Sequence, residues 1–162
     1  MVELISTRAS VVGCFADPDA LDALPDAEGT YTCRVAPDEV MLVGEPGTSL
    51  LPTITDQITR TDPEAVVLDV TDGWVTWTLA GAGARDAFEH LSAVPLGSEG
   101  YTQGDVAHVP IRVIALPESL HLFVPAMWSD HLRERILTDC ATLDVRVGAE
   151  PAAWTAPQKE RT

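Results

Sequence analysis

The 162-residue chain carries 25 aspartate and glutamate residues against 10 lysine and arginine residues, a formal net charge of −15 at pH 7. Such a surface repels phosphate backbones and anionic lipids, so nucleic acid and membrane surfaces are not expected partners. The N-terminus has no signal-peptide pattern, and no apolar run approaches the roughly 20 residues of a membrane helix. These features predict a soluble, cytoplasmic protein.

The N-terminal part of the chain alternates apolar runs with turn-forming segments. A strand is predicted at residues 10–15, and a hairpin at 31–43 turns through Ala-Pro-Asp-Glu. The segment between them, 16–29, is rich in Asp, Pro, Ala and Gly and predicts a loop with one helical turn. Ser49 is predicted to cap a short amphipathic helix near residues 51–58.

The pattern becomes clearer from residue 66 onward. The elements predicted there are strands at 66–70 and 74–79, a helix at 84–91, a Gly-rich loop at 95–100, strands at 109–116 and 120–124, a helix at 127–138 with Trp128 on its apolar face, and a strand at 143–147. From residue 74 this order is the ferredoxin-like split βαβ pattern. It predicts an α+β fold in layers, with both helices on one face of an antiparallel or mixed sheet.

The domain organisation predicted from composition is simple. Residues 1–149 are expected to form a single domain. Residues 150–162 are polar and proline-rich and are expected to form a flexible C-terminal tail.

The corner between the strand at 74–79 and the helix at 84–91 contains Gly81 and Gly83. A dinucleotide-binding fingerprint needs Gly or Ala at the third position of G-x-G-x-x-G/A, where the helix packs closely on the strand. Asp86 occupies that position here, and its carboxylate would also lie near a pyrophosphate. The glycines are therefore expected to let the strand turn sharply into the helix.

Metal-binding and catalytic signals are weak. Cys14, Cys33 and Cys140 are odd in number, widely spaced and without a C-x-x-C, so they are predicted to fill the core. The four histidines include no pair at i,i+3 or i,i+4. The sequence therefore predicts no catalytic, cofactor-binding or metal-ligating residue.

Six side chains are predicted as candidates for a partner interface: Trp74, Trp77, Arg85, Tyr101, Gln103 and His121. The two tryptophans face opposite sides of their strand, so one is expected in the core and the other under a helix or at an interface. His121 lies between two leucines and is expected to point to solvent or a partner.

The other candidates lie at turns. Arg85, at a helix start, is expected to contact a partner or to form a local ion pair. Tyr101 and Gln103 are expected in a Gly-flanked loop that could line a cleft.

Several short motifs resemble the gamma subunit of heterotetrameric sarcosine oxidase. The segments DVTDGW and LAGAGARD fit the pattern D-[VL]-[ST]-D-x-W…L-x-G-x-x-A-R-D. Further matching segments follow in the same order. The matching segments are residues 69–74, 79–86, 95–96, 100–110 (GYTQGDVAHVP), 122–125 (LFVP) and 131–135 (HLRER). The resemblance extends from about residue 31 to residue 138.

The resemblance implies a fold similar to the folate-binding domain of the glycine-cleavage T-protein. It also implies a place in a complex that oxidises the N-methyl group of sarcosine, giving glycine, hydrogen peroxide, and formaldehyde or methylenetetrahydrofolate. In that family FAD, FMN and NAD are held by the alpha and beta subunits. The resemblance also implies that a partner subunit binds tetrahydrofolate. A delta subunit binds zinc, and the gamma subunit packs against alpha without an established catalytic residue.

The resemblance also bears on catalysis. T-protein-like aminomethyltransferases contain G-G-I-x-D-D, which supplies an acidic residue beside the folate. The corresponding segment here is 108–113 (HVPIRV), in which Arg112 replaces a carboxylate. An arginine cannot serve as a general acid, so the chain is predicted to be catalytically silent. The alternatives are a freestanding folate-binding protein like the aminomethyltransferases, and a binding module that kept only the fold.

Overall fold

The structure, a computed structural model, describes residues 1–157. Its strands are β1 (Val2–Arg8), β2 (Ser10–Phe15), β3 (Thr30–Ala36), β4 (Glu39–Gly44), β5 (Val66–Asp69), β6 (Trp74–Ala80), β7 (Gly100–Val106), β8 (Val109–Leu116), β9 (Ser119–Pro125), β10 (Val145–Val147) and β11 (Ala152–Ala153). Its α-helices are α1 (Pro18–Asp22), α2 (Leu51–Thr59), α3 (Ala84–Leu91) and α4 (Ser129–Asp139). Short 3₁₀ turns cover Thr71–Gly73, Ala126–Trp128 and Ala141–Leu143.

The chain divides into two compact units, and the first contains residues 1–8 and 72–152. Its sheet has the strand order β10-β1-β6-β9-β8-β7, with β11 also paired to β1. All neighbouring pairs on this path are antiparallel except β1 and β10, which are parallel. The two helices α3 and α4 share one buried core with this sheet.

The core of unit 1 follows from the period-2 pattern of its strands. Leu4, Leu79 and Leu120 lie side by side on β1, β6 and β9 and are fully buried. Phe88 of α3 and Ile136 of α4 belong to the same core. Burying each such side chain contributes about 1.5–3 kcal/mol. The helix predicted at 84–91, and the placing of both helices on one face, are confirmed.

Unit 2 contains residues 9–71 together with residues 153–157. Its sheet is antiparallel, in the order β3-β4-β2-β5. Side chains of α1 and α2 pack on one face of it, where Val12 and Leu42 meet Ile54 and Ile58. The predicted hairpin is confirmed as β3 and β4, and the helical turn between residues 16 and 29 is α1.

The ferredoxin-like detail of the prediction is not confirmed, although the α+β class is. The split βαβ order is present in β6-β9-β8. The ferredoxin-like order would place β10 directly beside β6, but β1 lies between these two strands. The sequence also predicted no strand at residues 2–8, and it predicted one layered sheet where the structure has two. Pairing between the N-terminus and residues 74–80 leaves no local signal.

Two helix predictions need correction at their N-terminal ends. Ser49 does not cap α2: Leu50 precedes the helix with no side-chain cap, and Pro52 is in the first turn, where proline is favoured. The last helix begins at Ser129 rather than 127, after a 3₁₀ turn. Trp128 is consequently 45% exposed and does not join Leu132 and Ile136 in the core.

The predicted domain boundaries stay a prediction, because the two units are defined by how compact they are and not by whether they fold independently. Within the predicted tail, Ala152 and Ala153 form β11, and Trp154 is buried. Residues 158–162, the end of that tail, lie outside the described residues. In the described part of the chain no helix has the length and apolar character needed to cross a membrane.

Candidate functional site

The corner between β6 and α3 is shaped by close approach of the N-terminus. Gly81 has φ +102°, and a Cβ there would lie 2.8 Å from the carbonyl oxygen of Met1. A Cβ on Gly83 would lie 2.8 Å from Val2 Cγ2. Both positions therefore need glycine for steric reasons. The expectation of a sharp strand-to-helix turn is confirmed, and the approach of β1 adds a reason that the sequence did not reveal.

A cleft of about 540 Å³ opens beside this corner, between it and the turn that joins β8 to β9. Arg85 and Glu118 are its charged lining residues. Arg85 donates hydrogen bonds to the carbonyl oxygens of Gly97 (2.8 Å), Ser98 (2.6 Å) and Leu116 (3.4 Å). The guanidinium thus links the loop after α3 to the end of β8. Its hydrogen-bond acceptors here are backbone carbonyl oxygens, whereas the expected local ion pair would need a carboxylate.

The two tryptophans of β6 have different environments, as predicted. Trp77 is 9% exposed, belongs to the core of unit 1, and donates from Nε1 to Ser129 Oγ at 3.1 Å. Trp74 is half-buried, and the Arg112 guanidinium carbon lies 4.6 Å from its ring centroid. That distance is typical of a cation–π contact. Trp77 therefore belongs to the core, and Trp74 is the tryptophan of this pair whose side chain is partly accessible at the surface.

His121 is half-buried and hydrogen-bonded inside unit 1, so it is not directed freely to solvent, and its contact with a partner stays a prediction. Its Nδ1 lies 2.9 Å from Thr78 Oγ1, which in turn lies 2.7 Å from Thr7 Oγ1. These three side chains form a polar ladder across β9, β6 and β1. Burial lowers the pKa of His121 to about 4, so the imidazole is neutral near pH 7.

Tyr101 and Gln103 lie on strand β7 at one edge of the unit 1 sheet, not in a loop. Being two residues apart, they share a face, and the Tyr101 hydroxyl donates to Gln103 Oε1 at 2.6 Å. The prediction failed because Gly100 and Gly104 indicate a loop. Gly104 is instead needed for packing: a Cβ there would lie 2.5 Å from Val94 Cγ2.

Cys14, Cys33 and Cys140 are confirmed as buried. Burial raises the pKa of Cys14 and of Cys140, with nearby Asp62 and Asp139 respectively raising each further. The Cys140 thiol donates to the carbonyl oxygen of Ala87 at 3.4 Å. The thiols of Cys14 and Cys140 are therefore protonated at neutral pH and poor nucleophiles. Among residues 1–157 no three His, Cys, Asp or Glu side chains are grouped as a metal site would require.

Four of the six predicted interface candidates, Trp74, Tyr101, Gln103 and His121, share one face of the unit 1 sheet by strand register. Trp77 instead lies in the core on the other face, and Arg85 lines the cleft. Sequence reasoning missed the most exposed apolar side chains of each unit. In unit 1 these are Met1, Met127, Trp128 and Val147, and in unit 2 they are Phe15, Val66 and Leu68. The sequence signal for the unit 2 group was the alternation of the apolar residues Val66 and Leu68 in a segment bounded by acidic residues.

Comparison with known proteins supports the fold. No family model and no curated protein sequence matches the chain. Among solved structures, the heterotetrameric sarcosine oxidase from Corynebacterium sp. U-96, in complex with pyrrole 2-carboxylate, contains a chain that matches with a TM-score of 0.73 and 19% identity. The match covers 93% of this chain and 88% of that one.

A second match is the glycine cleavage system aminomethyltransferase T from Bartonella henselae, with a TM-score of 0.60 and 14% identity. It covers 90% of this chain but 47% of that one, so this chain spans about half the length of the aminomethyltransferase. The class defined by these matches is the α+β fold shared by the two proteins. The resemblance to sarcosine oxidase seen in the sequence motifs is thus confirmed at the level of the fold.

Proposed function

We propose that this chain is a non-catalytic, structural subunit of a complex similar to heterotetrameric sarcosine oxidase. The complex would oxidatively demethylate sarcosine or a related N-methyl amine to glycine, formaldehyde or methylenetetrahydrofolate, and hydrogen peroxide. FAD, FMN, NAD and tetrahydrofolate would be bound by its alpha and beta partners, and zinc by a delta partner.

The observation that carries the proposal is the end-to-end match to one chain of a sarcosine oxidase. Each chain covers about nine-tenths of the other, so the two have similar lengths as well as a common fold. A similar domain within a larger enzyme would give a match that covers most of this chain but only part of the other, as the aminomethyltransferase does. A chain of matching length and fold favours an equivalent subunit role.

The side chains of unit 1 support a structural role over a catalytic one. Arg112, at the position of an acidic residue in the aminomethyltransferase motif, lies over the Trp74 ring. A guanidinium stays protonated in proteins and cannot exchange a proton with a substrate amine. His121 is neutral and hydrogen-bonded to Thr78.

Co-purification from the native host tests the proposal. The chain carries an N-terminal or C-terminal tag, and the partners that elute with it are identified by mass spectrometry and flavin absorbance. Recovery of larger, flavin-bearing subunits with N-methyl amine oxidase activity is the expected result. Recovery of the chain alone, colourless and monomeric, would overturn the subunit role.

A freestanding folate-binding function is the second candidate, favoured by the fold shared with aminomethyltransferase T. Calorimetric titration of the isolated chain with tetrahydrofolate tests it. Saturable binding that is lost in the Arg112→Ala variant would favour this function. A chain that is recovered alone and binds no folate would leave the third reading, a binding module that kept only the fold.

A further inference from the structure

Unit 2 has an exposed apolar surface at one edge of its sheet. Phe15, Val66 and Leu68 are 41%, 49% and 48% exposed. Phe15 lies opposite Val66 in the β2–β5 register, so all three side chains are on one face. Gly13 lies opposite Leu68 and offers it no side chain. We call these three residues, with the outer side of β5, the β5 edge.

The backbone of β5 is positioned to accept another strand. The sheet ends at β5, and the Val70 N–H donates to the Val11 carbonyl at 3.0 Å. Because hydrogen-bonded pairs alternate along an antiparallel ladder, Val66 and Leu68 direct their backbone groups to β2. Val67 and Asp69 therefore direct theirs outward, as an added strand requires.

The opposite edge of the same sheet differs in a way that supports this assignment. Sheet edges are commonly protected by cationic side chains, prolines or bulges. The other edge strand, β3, contains Arg34 and a register shift between Arg34 and Ala36. The VVLD sequence of β5 has neither, and its ladder with β2 is regular. Of the two edges, β5 is the one left suitable for pairing.

The charges around the β5 edge indicate what would pair with it. Residues 61–73 contain Asp62, Glu64, Asp69 and Asp72 and no lysine or arginine. A second copy of this chain would bring these acids against their own equivalents, which is unfavourable. A segment with lysine or arginine beside its apolar residues would instead complement them.

We propose that the β5 edge binds an extended segment of a partner protein, with apolar side chains at alternate positions and basic side chains between them, which adds as the next strand of the unit 2 sheet. Its apolar side chains would cover Val66 and Leu68, next to Phe15, and its cations would lie on the face that carries Asp69, with Glu64 just before the strand. The inference rests on the proposed subunit role, because it names the chemistry of the segment that a partner subunit would present.

The first test uses the full chain and two fluorescein-labelled peptides, one alternating valine with lysine and the other valine with glutamate. Fluorescence anisotropy should show saturable binding of the lysine peptide and none of the glutamate peptide, and added salt should weaken this binding. Leu68→Glu should weaken this binding about tenfold or more, since it removes an apolar contact at the centre of the surface. Val147→Glu is the matched control, because Val147 is also a strand residue, 45% exposed, and lies in unit 1.

Thermal unfolding of both variants verifies that they are folded, as expected for exposed positions. Equal binding of the lysine peptide by wild type and Leu68→Glu would overturn the inference. So would a wild-type dimer in analytical ultracentrifugation that Leu68→Glu dissociates, because the occupant would then be a second copy of this chain.

Co-purification separates this inference from the proposed function. If wild type and Val147→Glu recover the flavin-bearing subunits and Leu68→Glu does not, both proposals are supported. If all three recover them, the subunit role stands and the β5 edge is wrong. If wild type recovers no partner, the subunit role fails, and the peptide titration alone decides the edge.

Discussion

Units 1 and 2 both cover an antiparallel or nearly antiparallel sheet with two helices, but they use polar and apolar side chains differently. Unit 1 satisfies its buried polar groups internally, through the Thr7–Thr78–His121 ladder and the Trp77–Ser129 bond. Unit 2 exposes apolar side chains at the β5 edge among acidic residues. The motif residue Gly81 thus supports the structure of unit 1, while the surface proposed for a partner segment is the β5 edge of unit 2.

The largest expected effect compares one residue type in the two units. Phe88 is fully buried in the unit 1 core, whereas Phe15 is 41% exposed in unit 2. Phe88→Ala should lower the free energy of unfolding by about 3–5 kcal/mol, since it leaves a cavity. Phe15→Ala should change it by less than about 1 kcal/mol. Urea unfolding measures both, and similar losses would remove the proposed contrast.

A somewhat smaller loss is expected at the β6–α3 corner. Gly81→Ala places a Cβ at φ +102° and 2.8 Å from the Met1 carbonyl oxygen. The free energy of unfolding should fall by about 3 kcal/mol, through strain and displacement of the N-terminus. Gly73→Ala, where a Cβ meets nothing within 4 Å, is the control. Equal stability of the two variants in urea would show that β1 does not need this close approach.

The polar ladder of unit 1 predicts a dependence of stability on pH. The pKa of His121 is lowered to about 4 in the folded chain, against about 6.5 when unfolded. The unfolded state therefore binds more protons between these values, so this contribution is complete above pH 6.5 and is lost as the pH falls toward 4. Thermal unfolding at pH 7.5 and pH 5 should show a smaller shift for His121→Gln than for wild type.

The exposed His90 provides the control for that measurement. His90→Gln should retain the wild-type shift of the melting temperature between the two pH values. Should His121→Gln retain it as well, the imidazole would not be the group that couples protonation to folding.

The smallest expected effect concerns the indole N–H of Trp77. Trp77→Phe keeps most of the apolar ring but leaves Ser129 Oγ without its donor at 3.1 Å. A loss of about 1 kcal/mol is expected, typical of one buried neutral hydrogen bond. A double-mutant cycle with Ser129→Ala measures the coupling between the two side chains. Additive losses would mean that the bond contributes nothing to unit 1.

Sequence reasoning about the candidate site succeeded where side-chain direction follows from spacing and failed where partners are distant. The alternation along β6 predicted one core tryptophan, and Trp77 fills that place. His121 obeys the same alternation, but its partner Thr78 is 43 residues away. Arg85 stays a predicted interface residue, and its carbonyl partners belong to a loop and a strand end that no local pattern connects to it.

The sequence by itself determined the α+β class, the β3–β4 hairpin, the amphipathic helix α3 and the need for glycine at the β6–α3 corner. Each of these depends on residues close in the chain, whose periodicity and backbone preferences act locally. Only the tertiary structure decided that β1 lies between β6 and β10, that residues 100–106 form a strand, and that Phe15 joins Val66 and Leu68 on one edge. Those arrangements depend on pairing between distant strands, which tertiary packing selects and local propensity does not encode.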